Sequence, residues 1–165
     1  MDPSAASIIV KCDPVEVRDG TIVVAEKPYE KVKVDVGNQA FIWTSEKRGG
    51  RGLAMRGLVR RVSCTDPKLE LEIGIVDHTP ASALGKRELE PLRNDHTTRL
   101  GRLPWKLYGY AHNKIASLTG DEAYALLQYF LPLASSQPAA DVEMVTHDRA
   151  LSDLGLIVHR SMHDE

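Results

Sequence analysis

The chain has 165 residues, of which 42% are hydrophobic and 27% are charged, a composition that fits a globular domain and excludes a disordered chain. No apolar run approaches the roughly 20 residues that cross a bilayer, the N-terminus lacks a secretory signal pattern, and two cysteines, Cys12 and Cys64, are too few for a disulfide framework or a four-cysteine zinc site. We therefore predict a cytoplasmic protein that does not enter a membrane. The net charge of −2 excludes a strongly basic binder of the histone type, but it leaves room for a local basic face.

Short strands separated by turn signals dominate the first half of the chain. Asp19-Gly20 is a hairpin-type turn, and the valines at positions 32, 34 and 36 alternate with polar residues at the period of a half-buried strand. The predicted strands are residues 7–11, 21–25, 32–36, 40–45, 53–62 and 69–75. Such even spacing predicts an α+β fold built on a small β-barrel of about six strands, with a few flanking helices.

The second half of the chain carries the helix signals. Residues 88–93 predict a helical turn, and Thr119 with Glu122 forms a capping box at the start of a longer helix. An apolar stripe with helical spacing follows, and Pro132 ends it. Residues 135–138 have the composition of a linker. We therefore predict a domain over residues 1–133 and an acidic extension over residues 134–165, either docked on the domain or partly ordered.

Basic residues are concentrated in the middle of the chain. Residues 47–61 hold six basic residues and no acidic one, residues 86–114 hold seven basic residues against three acidic ones, and residues 141–165 are acidic. One face of the molecule is thus expected to meet phosphate, although the same residues also fit an ordinary solvated surface. The predicted phosphate contacts are Arg48, Arg51, Arg56 and Lys114.

The sequence patterns of common catalytic sites are missing. The chain has no GxSxG elbow, no phosphate loop ending in GK[ST] and no dinucleotide-binding glycine fingerprint. The glycine-rich stretch at 49–52 lies between two predicted strands, which is not the strand-to-helix context of a phosphate loop. We predict no catalytic residue, no cofactor and no metal site.

Aromatic residues are only 5% of the chain, yet several lie in or beside the basic segments. Flat rings next to cations suit a pocket for a single unstacked base, because the rings stack on the base while the cations hold the backbone. We expect Trp43 and Trp105 to sandwich an extruded base; the alternative is that Trp43 is a core residue. The remaining predicted pocket residues are Thr44, Ser45, Tyr108 and Asn113.

The stretch at residues 32–59 resembles the middle of EVE domains. Gly37-Asn38 stands where Gly-Asp is usual, Trp43-Thr44-Ser45 matches an aromatic-x-Ser motif, and residues 52–59 match the strand that follows. Residues 8–14 are similar to the first strand of EVE and YTH domains, although the tryptophan common in that EVE strand is replaced here by isoleucine. Residues 113–127 look like the closing loop, short strand and capped helix of these families.

This resemblance implies a PUA-like fold, in which the barrel is a small mixed β-barrel, and a binding function. Domains of the EVE, YTH and ASCH kind hold a nucleotide, often with a modified base, in an aromatic-lined pocket. Trp43 and Ser45 match the strand that lines the pocket, and Trp105 and Asn113 would come from the opposing loop. The resemblance therefore implies a reader of a modified base in DNA or RNA.

Two other functions stay open at this point. A PUA-like domain of the ASCH kind can act on a small molecule or a nucleic acid as an enzyme or accessory domain, with Asp77 or His112 as the first candidates for a titratable group in the pocket. Alternatively, the acidic C-terminus contacts a protein partner or covers the basic face of its own chain.

Overall fold

Residues 6–29, 32–109 and 112–132 are described by the computed structural model of the chain. The β-branched and aromatic runs of the sequence form strands, as their propensities favour. The strands are β1 (Ser7–Cys12), β2 (Thr21–Glu26), β3 (Gln39–Thr44), β4 (Gly52–Thr65), β5 (Lys68–Asp77) and β6 (Ile115–Leu118). The helices are α1 (Lys86–Leu89), α2 (Leu103–Tyr108) and α3 (Gly120–Gln128), with 3-10 turns at Glu46–Arg48 and Glu90–Leu92.

The six strands form one mixed sheet in the order β2-β5-β4-β3-β1-β6. β1 runs parallel to β3, with Cys12 opposite Thr44, and the other strand pairs are antiparallel. Asp19-Gly20 makes the predicted tight turn: both residues have positive φ, and Arg18 and Thr21 exchange two backbone hydrogen bonds of 2.9 Å across it. The predicted α+β class with a six-stranded sheet is confirmed.

The two edge strands approach each other without completing a barrel. Beyond β2, Lys27 O accepts from Lys114 N (2.7 Å) and Tyr29 N donates to Ile115 O (2.9 Å), beside a single bridge between Pro28 and Ile115. Proline has no N–H to donate, so a ladder cannot continue through Pro28. The predicted barrel is therefore an open sheet whose edges meet at one point.

The predicted strand at residues 32–36 does not form, and that prediction is wrong. The backbone of this segment is engaged in local turns instead: Val32 N donates to Tyr29 O (3.2 Å), and Asp35 N donates to Asn38 Oδ1 (2.9 Å). The expected alternation also breaks down in burial, because Val34 lies in the core whereas Val36, two residues further on, is exposed. The sixth strand is β6, in the region where the EVE resemblance implies a short strand.

The middle of the sheet is covered on both faces. Ile8, Ile42 and Ile73 belong to a core cluster on one face, whereas Ile9 and Phe41 belong to a second cluster on the other. The second cluster includes the buried side chains of the helices, Leu89, Leu103, Leu107, Ala123 and Leu126. β3 is thus enclosed on both sides, which explains its nearly unbroken apolar sequence.

The predicted capping box starts α3 as the sequence indicates. The Thr119 hydroxyl accepts from Glu122 N (3.2 Å), and the Glu122 carboxylate accepts from Thr119 N (2.8 Å). Glu122 Oε2 also lies 2.5 Å from Lys106 Nζ, which ties α3 to α2. The capped helix is confirmed.

The predicted extension at 134–165 lies outside the described residues, so its boundary, its order and its role with a partner stay predictions. Among the helices that the structure describes, none is long and apolar enough to cross a membrane. The cytoplasmic location also stays a prediction.

Candidate functional site

Several strands end or begin at the same edge of the sheet and leave a cavity there. Cys12 at the end of β1 and Gly52 at the start of β4 both pair with Thr44 at the end of β3, and Asp77 at the end of β5 pairs with Arg56 of β4. The connections between these ends surround a space of about 300 Å³, here named the end cavity. Its lining residues are Pro14, Val15, Val17, Thr44, Gly49, Gly50, Arg51, Ala54, Met55 and His78.

The glycine-rich stretch folds into a tight loop over this cavity. Ser45 O accepts from Arg48 N (3.0 Å) and Gly50 N (2.8 Å), while Thr44 Oγ1 accepts from Arg51 N (3.0 Å). A Cβ at position 50 would lie 2.6 Å from the Thr44 carbonyl carbon, so only glycine fits there. The loop therefore holds Arg48 and Arg51 at fixed places on the edge of the site.

Trp43 and Trp105 do not form a sandwich in this structure. Trp43 is 0% exposed within the helix-covered core, and its Nε1 lies 3.4 Å from Glu46 Oε2. Trp105 is 50% exposed on α2, where its Nε1 donates to Asn94 Oδ1 (3.2 Å). Because β3 is covered on both faces, the side chain at position 43 lies inside the protein and offers no ring face to a ligand. Trp43 therefore occupies the position of a core residue, which is the alternative that the sequence leaves open for it.

The other predicted pocket residues divide between the end cavity and its surroundings. Thr44 lines the cavity, but its hydroxyl is already engaged with Arg51 N and with Gly52 O (3.3 Å). Ser45 is half-buried and its backbone closes the loop. Tyr108 and Asn113 are not among the residues that line the end cavity. Thr44 and Ser45 are therefore placed to hold the loop in shape.

The four predicted phosphate contacts fall into two groups: exposed cations without a salt bridge, and cations beside a carboxylate. Arg48 and Arg51 are exposed, and within the described residues neither makes a salt bridge. Arg56 is only 16% exposed and binds Asp77 Oδ2 through both Nε (2.6 Å) and Nη2 (2.5 Å), so its charge is already matched. Lys114 lies 3.4 Å from Glu26 Oε1. Two of the four predicted cations are thus free to meet a ligand.

Lys114 belongs to a second cavity of about 460 Å³. Its lining residues are Glu26, Lys27, Pro67, Lys68, His112 and Lys114. His112 therefore lies in a different cavity from Thr44, and Asp77 is held by Arg56. The two candidates for an enzymatic group do not share the end cavity with the loop at 45–52. Among the described residues, no three His, Cys, Asp or Glu side chains come together as a possible metal site.

Glu46 connects the loop to the helices, and the sequence analysis missed it. Its Oε1 accepts from the Tyr108 hydroxyl (2.9 Å) and from Lys86 N (2.9 Å). Burial, followed by this hydrogen bond, raises the pKa of Tyr108 well above its ordinary value, so the phenol stays a donor. The only sequence signal is an acidic residue at the start of a basic segment, since its partners are 40 and 62 residues away.

Lys11 completes the polar cluster around Tyr108. Its Nζ donates to Leu107 O (2.9 Å) and lies 4.2 Å from the centre of the Tyr108 ring. Burial lowers the pKa of Lys11, while the charge of Glu46 opposes that change. The cluster fixes the end of α2 against β1 and the loop at 45–52.

A groove of about 650 Å³ adjoins the end cavity, and Arg51 lines both. We name it the flank groove. Its lining residues are Glu46, Arg51, Ala83, Gly85, Lys86, Arg87, Glu88 and Glu90. The backbone bond from Leu53 N to Leu84 O (2.9 Å) brings the segment before α1 to the start of β4 and so forms the groove.

Comparison with known proteins gives one informative match. No protein-family model and no curated protein sequence matches the chain. Among solved structures, human THYN1 in complex with DNA containing 5-methylcytosine matches with a TM-score of 0.52 at 13% sequence identity, over 78% of this chain and 100% of that chain. THYN1 is an EVE-domain protein. The chain therefore shares the fold of THYN1, which supports the resemblance to EVE domains at the level of the fold.

Proposed function

We propose that the protein binds nucleic acid and holds a single modified base in the end cavity. The observation that carries the proposal is the cavity itself: it measures about 300 Å³ and has Arg51 on its wall and Arg48 in the adjoining loop. That volume is at the small end of the range of about 300–1,000 Å³ typical of ligand sites. A single base is a ligand of suitable size, and the cations suit its phosphates.

The wall of the end cavity suits a base that carries a methyl group. Val15, Val17, Ala54 and Met55 provide an apolar surface. Burial of one methyl group contributes about 0.8 kcal/mol, or about a fourfold gain in affinity. His78 supplies a ring nitrogen at the cavity for the polar edge of the base.

A base can enter such a cavity only after it leaves the helical stack. Proteins that act on single bases extrude the nucleotide and hold it in a pocket, at a cost of a few kcal/mol in unstacking. The fold shared with THYN1, whose solved complex contains 5-methylcytosine DNA, supports this reading. An aromatic cage is not part of the proposal, because no ring of Phe, Trp or Tyr is among the described residues that line the end cavity.

Fluorescence anisotropy with labelled oligonucleotides tests the proposal. The panel holds the same sequence unmodified and with 5-methylcytosine, 5-hydroxymethylcytosine or N6-methyladenine, as DNA and as RNA, at low and high salt. We expect binding that weakens with salt and favours one modified base. Absence of binding to every oligonucleotide at low salt would overturn the proposal.

A matched pair of variants tests the location of the base. Val15→Trp places a large side chain at the half-buried wall of the end cavity and should abolish the preference for the modified base. Val23→Trp makes the same change on the open face of β2, where Val23 is exposed, and should leave the preference intact. An unchanged preference in Val15→Trp would place the base elsewhere.

A further inference from the structure

The flank groove presents cations without salt-bridge partners beside carboxylates that the fold already uses. Glu46 accepts from Tyr108 and Lys86 N, and Glu88 Oε2 accepts from Gly85 N (2.8 Å). Glu90 Oε1 lies 3.1 Å from Arg93 Nη1. The cations of the groove, Arg51, Lys86 and Arg87, are exposed, and no salt bridge joins them to any carboxylate in the described ranges. Hydrogen bonds from neutral donors leave the charges of Glu46 and Glu88 in place, so the groove lining is mixed in charge, and the positive charge available to an anionic ligand is local to these three cations.

A chain of contacts links the flank groove to an exposed aromatic side chain on α2. Glu90, on its wall, pairs with Arg93, and the Arg93 guanidinium carbon lies 4.6 Å from the centre of the Trp105 ring. Asn94 holds the indole Nε1. Trp105 is thus oriented by two contacts and is still half exposed, which is the condition of a preformed stacking surface.

Arg93 adds a second observation at the same place. Its Nε is buried and has no hydrogen-bond partner among the described residues, although its Nη1 pairs with Glu90. The guanidinium is therefore held by the ring of Trp105 and by one carboxylate. A guanidinium beside a tryptophan ring adds a cation to a surface on which a base can stack.

We propose that the flank groove and Trp105 bind the nucleotide next to the base in the end cavity. The phosphates lie along Arg51, Lys86 and Arg87, and the neighbouring unpaired base stacks on Trp105. This inference rests on the proposed function and adds a property of the partner. The bound strand is single-stranded beside the recognised base, since a paired base has no free face for Trp105.

Tyr124 provides a matched comparison on α3. It is 54% exposed and has the Arg99 guanidinium carbon 5.0 Å from its ring centre, so it resembles Trp105 in exposure and in its cation. The difference lies in the partner of the cation: Arg99 pairs with Asp121, which lines neither the end cavity nor the flank groove, whereas Arg93 pairs with Glu90 of the flank groove. If any exposed aromatic side chain contributed to binding, replacement of either Trp105 or Tyr124 would weaken binding. The proposal predicts weaker binding only for the replacement of Trp105.

Binding of Trp105→Ala and Tyr124→Ala to a methylated single strand tests the inference. The probe is a short DNA strand with one internal 5-methylcytosine, used alone and annealed to its complement. Trp105→Ala should weaken binding to the single strand by roughly 5- to 150-fold, the scale of one base–aromatic stack. The loss should be equal for methylated and unmethylated single strands. The duplex should bind the Trp105→Ala variant as tightly as it binds the wild type. Tyr124→Ala should bind both probes normally.

Tryptophan fluorescence of the wild type gives a second readout, which a folding defect in a variant cannot affect. The chain has two tryptophans, and Trp43 is fully buried, so quenching by a stacked base reports Trp105. The single strand should quench the wild type, and Trp105→Phe should retain most of its affinity while losing the quenching. The pair Lys86→Ala and Arg87→Ala should lower the salt slope of log affinity for the single strand by about 0.7 for each cation lost.

The outcomes separate the inference from the proposed function. Normal single-strand binding by Trp105→Ala, with no quenching in the wild type, would overturn the role of Trp105 and leave the end cavity untouched. If Val15→Trp loses the preference for the methylated strand while Trp105→Ala binds normally, the role of Trp105 is likewise overturned and the end cavity remains the site of the base. Failure of every oligonucleotide to bind the wild type would overturn both.

Discussion

The two tryptophans occupy opposite environments. Trp43 lies on β3, which is packed on both faces, and none of its surface is accessible. Trp105 lies on the outer side of a six-residue helix, and half of its surface meets solvent. Both stand in or beside a basic stretch of the chain, so local sequence does not tell them apart. The difference comes from the packing: β3 has a core cluster on each face and buries all of its side chains except that of Gln39, whereas α2 buries only one side.

The two tryptophans therefore have different roles, one in the structure and one at a surface that can bind a ligand. The region of Trp43 holds the loop at 45–52 through Glu46 and Tyr108 and thereby shapes the end cavity. The region of Trp105 carries a surface that a ligand can reach. Replacement of Trp43 should therefore change stability, and replacement of Trp105 should change binding.

The largest expected effect is on the stability of Trp43→Ala. Loss of a fully buried indole should lower the free energy of unfolding by about 3–5 kcal/mol. Trp105→Ala should change it by no more than about 0.5 kcal/mol, because its site is exposed. Urea unfolding followed by circular dichroism measures both. Equal losses in the two variants would contradict the assignment of core and surface.

Glu46→Ala should have the next largest effect. It removes the acceptor for the Tyr108 hydroxyl and Lys86 N, and leaving such donors unpaired costs about 1–3 kcal/mol. Glu16→Ala removes the exposed pair with Arg18 and should cost less than about 1 kcal/mol. The same unfolding measurement compares them. If the two variants unfold alike, Glu46 does not connect the loop to the helices.

Thr119→Ala should lower the free energy of unfolding by about 1 kcal/mol. The change removes the side-chain acceptor for Glu122 N at the start of α3. Thr119→Ser keeps an oxygen in that position and should remain close to wild type. A stability loss of similar size in Thr119→Ser would mean that packing of the methyl group matters more than the cap.

The two cysteines also lie in a buried and an exposed environment, and their thiols should react with a labelling reagent at different rates. Burial raises the pKa of the Cys12 thiol to about 12, so its reactive thiolate is scarce at neutral pH. Cys64 is exposed near the turn between β4 and β5. Labelling with a maleimide, followed by mass spectrometry, should show one rapid adduct at Cys64 and a second at Cys12 only after unfolding. Labelling of Cys12 at the rate of Cys64 would contradict the buried position of β1.

Much of the fold follows from local patterns in the sequence. Period-two alternation locates β5, β-branched runs locate β1 and β2, and the capping box locates α3. The alternation in β3 correctly places Phe41 and Trp43 on one face. Alternation does not reveal whether a run finds a strand to pair with: residues 32–36 have the pattern of a strand, but their backbone takes part in local turns.

The candidate site is less accessible to sequence reasoning because distant segments build it. The flank groove depends on the contact between Leu53 and Leu84, and Glu46 depends on Lys86 and Tyr108. A run of basic residues likewise does not show which of them is already paired. Among the described residues Arg51 makes no salt bridge, whereas Arg56 is paired with Asp77 on the next strand.

An NMR titration tests whether the end cavity holds the base. A short single strand with one 5-methylcytosine is added to the ¹⁵N-labelled protein, and the amide signals are followed. The account predicts that the largest shifts fall at Gly49, Gly50, Arg51 and His78, and that the unmethylated strand produces smaller shifts at the same amides. Largest shifts at Lys27, Lys68 and Lys114, around the second cavity, with none at the end cavity, would contradict it.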